Sequence, residues 1–355
     1  MEYAEERDIK YLNKLRNELL PCLPDFCADF FVGIGMRTTA LTRFNYAQDL
    51  KLFFDYITMP GSVLHGMEIT DISLSDLQKI QKRDIERFLD YIDSYYCESK
   101  KKYVKNKDSA KARKLSAIRS LFTYLYKSDL IPQNITLKVD VPKIREKAII
   151  RLEDGEVRGV LGELEDNDTF VSNRQNTYNN NNTKVRDNAI ITLLLGTGIR
   201  VSECVGLNVN DIDFVNNSFT VTRKGEKKAI LYFTDDIAAV LGEYLDFRYA
   251  LLKKHKVDSD PEALFLSLRD TRISIRAVEL LVKKYAEVVT PLKKITPHKL
   301  RSTYGTALYR ATKDIYVVAE VLGHKDINTT KKHYAAISED IKKSAADKVN
   351  FKKDD

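Results

Sequence analysis

Three short segments of this 355-residue chain hold residue types able to act on a phosphate. In Thr197-Gly198-Ile199-Arg200-Val201-Ser202-Glu203, Gly196 and Gly198 interrupt the apolar run IITLLL and a new helix is expected to start at once. That turn presents Arg200 at a fixed point. Glu203, three residues on, shares its helical face and can orient a guanidinium or an imidazole. In ITPHKLRSTYGTAL, Pro297 suits the first helical position. His298 and Arg301 then project from one side of the first turn, where a cation and a hydrogen-bonding ring suit a phosphate. In LGHKDINTTKKHYA, Gly323 suits a helix end and leaves His324 in a loop, and a polar stretch follows that ends at Tyr334. Taken singly, each segment has a plainer reading: a surface Arg–Glu pair, a chance His-x-x-Arg, an aromatic packed on a terminal helix.

Their order and joint presence are more specific. Arg200 in TGIR, His298-x-x-Arg301, LGH at His324 and Tyr334 together resemble the tyrosine recombinase (phage integrase) family, over about Lys184 to Asp340. The stretches YLDFR, ALFLS and VKKYA are similar to the Xer-like members, closest to the single-chain XerS type. The resemblance makes the basic turn TRKGEKK the family's β-hairpin and Lys224 its general acid, with Lys227 and Lys228 as rivals. Two departures stand out: Ser302 follows the second arginine where many members have His, and the span from His324 to Tyr334 is one residue longer than in many Xer proteins.

The resemblance implies a site-specific recombinase. Tyr334 attacks a DNA phosphorus, forms a 3′-phosphotyrosyl bond and releases a 5′-hydroxyl. Charge growing on the non-bridging oxygens suits a clamp of two guanidiniums, Arg200 and Arg301. A phenol with a pKa near 10 needs help, and His298 is the candidate base or relay. Lys224 would protonate the leaving oxygen, His324 would hydrogen-bond the phosphate, and Glu203 would orient the pocket. No metal and no cofactor is expected, and the retained phosphodiester energy needs no ATP. The implied partners are double-stranded DNA and a homotetramer on two DNA sites, with accessory recombination proteins possible and no membrane. Two other readings are a type IB topoisomerase-like strand transferase and a non-catalytic DNA-binding protein. Within recombinases, the job is Xer-like dimer resolution or mobile-element integration and excision. The Xer-like job is favoured because only about 36 residues precede the first clear helix of the DNA-binding part, too few for an arm-binding module.

The elements that must position these residues read as mainly α with a small antiparallel β-sheet, a two-lobed DNA clamp. Residues 1–141 are expected to form a helical core-binding domain, 142–150 a linker, and 151–355 the integrase-type catalytic domain. In the first part, Leu41, Phe44, Ala47, Leu50, Phe54 and Ile57 keep one helical face, as do Ile85, Phe88, Leu89 and Ile92, and Ile118, Leu121, Phe122 and Leu125. Pro132 and Pro142 flank an irregular stretch read as interdomain. In the second part, helices are expected at 153–165, 184–195, 200–207, 235–254, 275–289, 299–311 and 315–322, with a last one after Ser338. Strands at 211–214, 218–222 and 228–233 make a meander. The Asn-rich 173–183 reads as a surface loop.

Composition sets bounds. The chain is 43% hydrophobic and 31% charged, as in ordinary globular proteins. No apolar run of membrane-spanning length and no signal-type N-terminus appears, so a cytoplasmic location is expected. Cys22, Cys27, Cys97 and Cys204 have no zinc-type spacing and read as buried free thiols. Net charge is +7, yet Lys100–Lys147 alone holds fourteen Lys/Arg against four acids. In the helix inside that segment, Lys107, Lys111 and Lys114, near Arg113 and Arg119, are expected on the side away from the apolar stripe, facing DNA. Replacing three of the Lys/Arg of residues 100–147 should flatten the dependence of log K on log salt by about 0.9 for each phosphate no longer neutralised. An unchanged slope in a filter-binding titration would take the segment out of the interface.

Overall fold

Apolar stripes at helical spacing decide how the N-terminal unit closes. The computed structural model describes residues 3–97, 101–143, 150–165, 181–223, 227–254, 260–324 and 326–327. It divides into two units, Met1–Lys147 and Ala148–Asp355. Unit 1 contains α1 (Tyr3–Lys14), α2 (Phe26–Gly33), α3 (Ala40–Ile57), α4 (Leu74–Leu77), α5 (Lys82–Tyr91), strands β1 (Ser94–Cys97) and β2 (Lys102–Lys105), and α6 (Asp108–Lys127). Thr39 caps α3 by accepting from the Thr42 amide, which satisfies one of the donors a helix start leaves orphaned. The buried face of α3 (Leu50, Phe53, Phe54, Ile57) packs against Ile118, Leu121, Phe122 and Leu125 of α6. Phe88 of α5 joins them, edge-on to Phe53 at 5.2 Å. Two stripe residues depart from expectation: Leu41 is exposed, and Phe44 is only half-buried, beside the Tyr11 ring.

Two features of unit 1 correct the expectations of a wholly helical N-terminal part and of an interdomain stretch that starts at Pro132. Strands β1 and β2 pair antiparallel, Tyr95 opposite Val104 and Tyr96 opposite Tyr103. Aromatic and β-branched side chains favour such a ladder, but four-residue strands leave too short a pattern to stand out. The stretch after Pro132 is not linker at its start. Asn134 caps a 3-10 turn (Ile135–Lys138), and Ile131, Ile135 and Val139 complete the core.

Unit 2 is built around a helix whose C-terminal half is largely apolar on every side. It comprises α7 (Asp154–Glu165), α8 (Asn181–Thr197), α9 (Val201–Gly206), strands β3 (Ile212–Asp213), β4 (Ser218–Arg223) and β5 (Lys227–Tyr232), α10 (Asp235–Lys254), α11 (Ile275–Val289), α12 (Pro297–Thr312) and α13 (Ile315–Leu322). In α8, Ala189, Ile190, Ile191, Leu193 and Leu194 are all buried. A helical segment apolar all round needs cover on every side, and α7, α10, α11 and α12 supply it. The helix begins at Asn181, so the end of the Asn-rich stretch is helix rather than loop. The strands form an antiparallel meander, β3–β4–β5, with Val221 opposite Ala229 and Arg223 opposite Lys227. No described helix is long and apolar enough to cross a membrane.

The thiols divide. Cys27 and Cys204 are buried, and burial pushes Cys204 up to about 12. Cys22 is exposed and Cys97 half-buried, so the buried reading holds for two of four.

One carboxylate in unit 1 ties stability to acid. Asp76 accepts from the amide and hydroxyl of Ser73 at the start of α4 and from Lys79. Those bonds, the Lys79 bond first, hold its pKa near 2 instead of 3.8. A lowered carboxylate pKa stabilises the fold above the unfolded value and loses that contribution as pH falls through the folded one. Wild-type stability should therefore decline between about pH 4 and pH 2, and Asp76→Asn should flatten this limb in urea melts across that range.

Candidate active site

The site forms where α13 ends. A helix terminus leaves its last carbonyls without intrahelical donors, and each must find one elsewhere. Gly323 takes left-handed angles (φ 60, ψ 47). Its amide bonds Glu320 O and the His324 amide bonds Ala319 O, both at 2.9 Å, a Schellman closure. The closure sets where His324 leaves the helix.

The remaining carbonyls are taken by arginines from three other elements. Arg200 Nη2 donates to Gly323 O at 2.9 Å. Arg301 Nη2 donates to Leu322 O, while its Nη1 donates to Gly198 O at 2.5 Å. Arg223, at the end of β4, donates to Val321 O at 2.7 Å and Glu320 O at 3.2 Å. Arg200 and Arg301 thus meet at consecutive carbonyls beside His324. Arg301 is buried, whereas the Arg200 side chain is 36% exposed.

Arg200 sits at the N-cap of α9. The buried Glu203 carboxylate accepts from its backbone amide at 3.0 Å and from Nη1 at 2.7 Å. At the other end of α9, Arg272 donates to Val205 O and Leu207 O and to the Asn208 side chain, which fixes the short helix from behind. Burial lowers the Arg223 pKa; the Glu203 charge opposes the shift and the Arg200 charge adds to it. Three guanidiniums converge on the end of α13 with one carboxylate beside Arg200, so the site is electropositive.

Arg301 lies in the first turns of α12, after Pro297. His298, one turn earlier, is exposed, and Ser302 Oγ bonds the His298 carbonyl at 3.0 Å. Gly198 ends α8 with φ +62. A Cβ there would lie 2.4 Å from Tyr304 Cδ1 and 3.0 Å from Leu322 Cδ2, so glycine is what lets the Arg200 turn press against α12 and α13. Lys227 and Lys228 are exposed on β5. Lys224, Tyr334 and the helix expected after Ser338 lie outside the described residues. Sequence reasoning missed Arg223, whose one signal was a second cation directly before Lys224 in TRKGEKK.

The cations expected to face DNA in unit 1 are placed unevenly. Lys107 is exposed at the start of α6. Lys111 pairs with Asp93 and Asp108. Arg113 pairs with buried Asp49, whose carboxyl burial pushes up against the pull of Arg113 and Lys114. Arg119 donates to Val139 O. Lys114 corrects the expected outer row: its side chain is 9% exposed, 3.7 Å from Asp49, because a carboxylate buried on α3 requires a cation on the facing helix. A groove of about 400 Å³ on unit 1 is lined by Arg37, Arg119 and Lys127 together with Ile34, Tyr124 and small hydroxyl-bearing residues of α6.

A model of the phage integrase family matches residues 170–340. A protein from Caldanaerobacter subterraneus subsp. tengcongensis, tyrosine recombinase XerC, is 31% identical over 92% of this chain and 86% of its own length. Tyrosine recombinase XerS of Streptococcus pneumoniae is 32% identical over 94% of this chain and 97% of its own. Among solved structures, XerH recombinase in a post-cleavage complex with palindromic difH aligns with a TM-score of 0.64 and 16% identity, over 95% of this chain and 93% of that one.

The Gly198 turn can be tested by stability. Gly198→Ala should cost more than the roughly 1–2 kcal/mol of a left-handed alanine, because the Tyr304 ring must also move. Gly162→Ala, in α7 with open space around the new methyl, should instead stabilise by about 0.5–1 kcal/mol. Equal effects of the two substitutions in urea unfolding would refute the close-approach argument.

Proposed function

This chain belongs to the phage integrase family of tyrosine recombinases, and on that footing we propose that Tyr334 is its nucleophile and that Arg200, Lys224, His298, Arg301 and His324 serve the strand transfer. The enzyme cuts and rejoins DNA in site-specific recombination. The observation that carries the assignment of roles is the meeting of Arg200 and Arg301 at the consecutive carbonyls of Gly323 and Leu322, beside His324. Guanidiniums held on their carbonyl partners keep a fixed orientation, so no reorganisation is needed when charge develops on a phosphate.

The Tyr334 oxygen attacks phosphorus, and its proton passes to His298 or through it to water. A 3′-phosphotyrosyl bond forms as the bond to the 5′-oxygen breaks, and Lys224 supplies the proton that oxygen needs. Arg200 and Arg301 hold the two non-bridging oxygens, and His324 donates a further hydrogen bond to one of them. Glu203 keeps Arg200 in orientation. A 5′-hydroxyl from the other duplex reverses these steps and restores the phosphodiester. The bond energy is kept throughout, so no nucleotide is consumed.

By this reading, unit 2 is the catalytic domain and unit 1 a core-binding domain contacting duplex DNA. Lys107 and the groove of Arg37, Arg119 and Lys127 supply its phosphate contacts. Recombination requires four strand cuts, so four protomers act on two sites. Similarity to XerC and XerS over more than nine-tenths of the chain favours resolution of replicon dimers at a simple site over mobile-element integration. The reaction places the enzyme with DNA in the cytoplasm.

The test uses a duplex selected from randomised DNA by the protein itself, nicked beside the cleavage position so that the cut fragment is lost. Wild-type protein should yield a covalent adduct with slowed gel migration, absent in Tyr334→Phe. Arg200→Ala and Arg301→Ala should each slow adduct formation by about 10²–10³-fold. An adduct persisting in Tyr334→Phe would move the nucleophile elsewhere.

A further inference from the structure

We propose that Arg223 is a positioning residue for this reaction, fixing the end of α13 so that the Arg200 and Arg301 guanidiniums and His324 stand in register. The inference rests on the site assignment above. Arg223 reaches from the last residue of β4 to two successive carbonyls, Glu320 O and Val321 O. Arg301 and Arg200 take the next two, Leu322 O and Gly323 O. The three guanidiniums therefore share one ladder, and a shift of one carbonyl is a shift of all.

Arg223 also covers Gly323. A Cβ on Gly323 would lie 2.4 Å from Arg223 Nη1, 2.6 Å from Cζ and 2.9 Å from Nε. The guanidinium rests directly against the residue whose left-handed turn aims His324. Its Nε is buried without a hydrogen-bond partner.

The donors of Arg223 are turned to helix carbonyls, so Arg223 acts through its neighbours and not on the phosphate. It also joins two parts of the site by chain adjacency. Arg223 immediately precedes Lys224, and its side chain holds the turn that immediately precedes His324. One residue thereby ties the general-acid strand to the histidine loop.

The experiment measures adduct formation on the selected nicked duplex at saturating protein, together with DNA affinity and thermal midpoint. Arg223→Ala should slow adduct formation on the order of 10- to 100-fold with affinity unchanged. Arg223→Lys, able to reach one carbonyl, should recover part of the rate. In a His324→Ala background, Arg223→Ala should cause little additional loss, since the two act as a unit. A wild-type rate in Arg223→Ala would overturn the proposal. So would losses that multiply independently of His324, or a loss in affinity and midpoint alone that Arg223→Lys shares in full. If Arg223→Ala does not fold, the rate of Arg223→Lys decides: a wild-type rate overturns the proposal, and a reduced rate at unchanged affinity, absent in the His324→Ala background, supports it. If wild-type protein itself forms no adduct, the site assignment fails and not the part played by Arg223.

Discussion

A helix that ends partly buried must give its last carbonyls to something, and in this protein that something is largely a set of arginines. From Ala319 to Gly323 every carbonyl has a donor: two backbone amides serve Ala319 and Glu320, and Arg223, Arg301 and Arg200 serve Glu320 to Gly323. The negative end of the helix dipole favours cations there. The arrangement solves two problems together. Carbonyls that would be costly to bury are satisfied, and guanidiniums that would repel one another are held in a fixed geometry. Much of unit 2 serves this junction: Gly198 brings the Arg200 turn against α12 and α13, Glu203 offsets part of the charge, and Arg272 anchors the far end of α9.

Unit 1 handles buried charge differently. Asp49 on α3 is enclosed, with Arg113 and Lys114 brought to it from α6. Removing one member of such a group leaves an uncompensated charge, so the trio acts as a register pin between the two helices more than as a source of net stability. It also explains why a lysine in the most basic stretch of the chain turns inward. Positive charge along the sequence measures what is available for DNA, and the fold commits part of it to its own carboxylates and carbonyls.

Much of the fold was legible beforehand where the residue pattern was long and uniform. The all-apolar core of α8, the Ile118–Leu125 stripe of α6 and the β3–β5 meander stand as their patterns implied, because burial of a continuous face outweighs local detail. Short or interrupted signals were not legible. The β1–β2 hairpin has four residues per strand. The residues after Pro132 look like linker until Ile135 and Val139 are seen in the core. The start of α8 within the Asn-rich stretch depends on the apolar helix behind it, not on its own composition.

For the site, the sequence by itself determined the candidate groups and the local frames of Arg200, Arg301 and His324. Gly-x-Arg at a helix start, Pro-His-x-x-Arg on a first turn and Leu-Gly-His at a helix end each follow from backbone rules that act over a few residues. What only the tertiary structure decided is that those frames share one set of carbonyls, that Arg223 belongs among them, and that Lys114 does not face outward. Such facts depend on which buried acceptors lie within about 3 Å of a long, flexible cation, and that distance is set by packing between elements far apart in the chain.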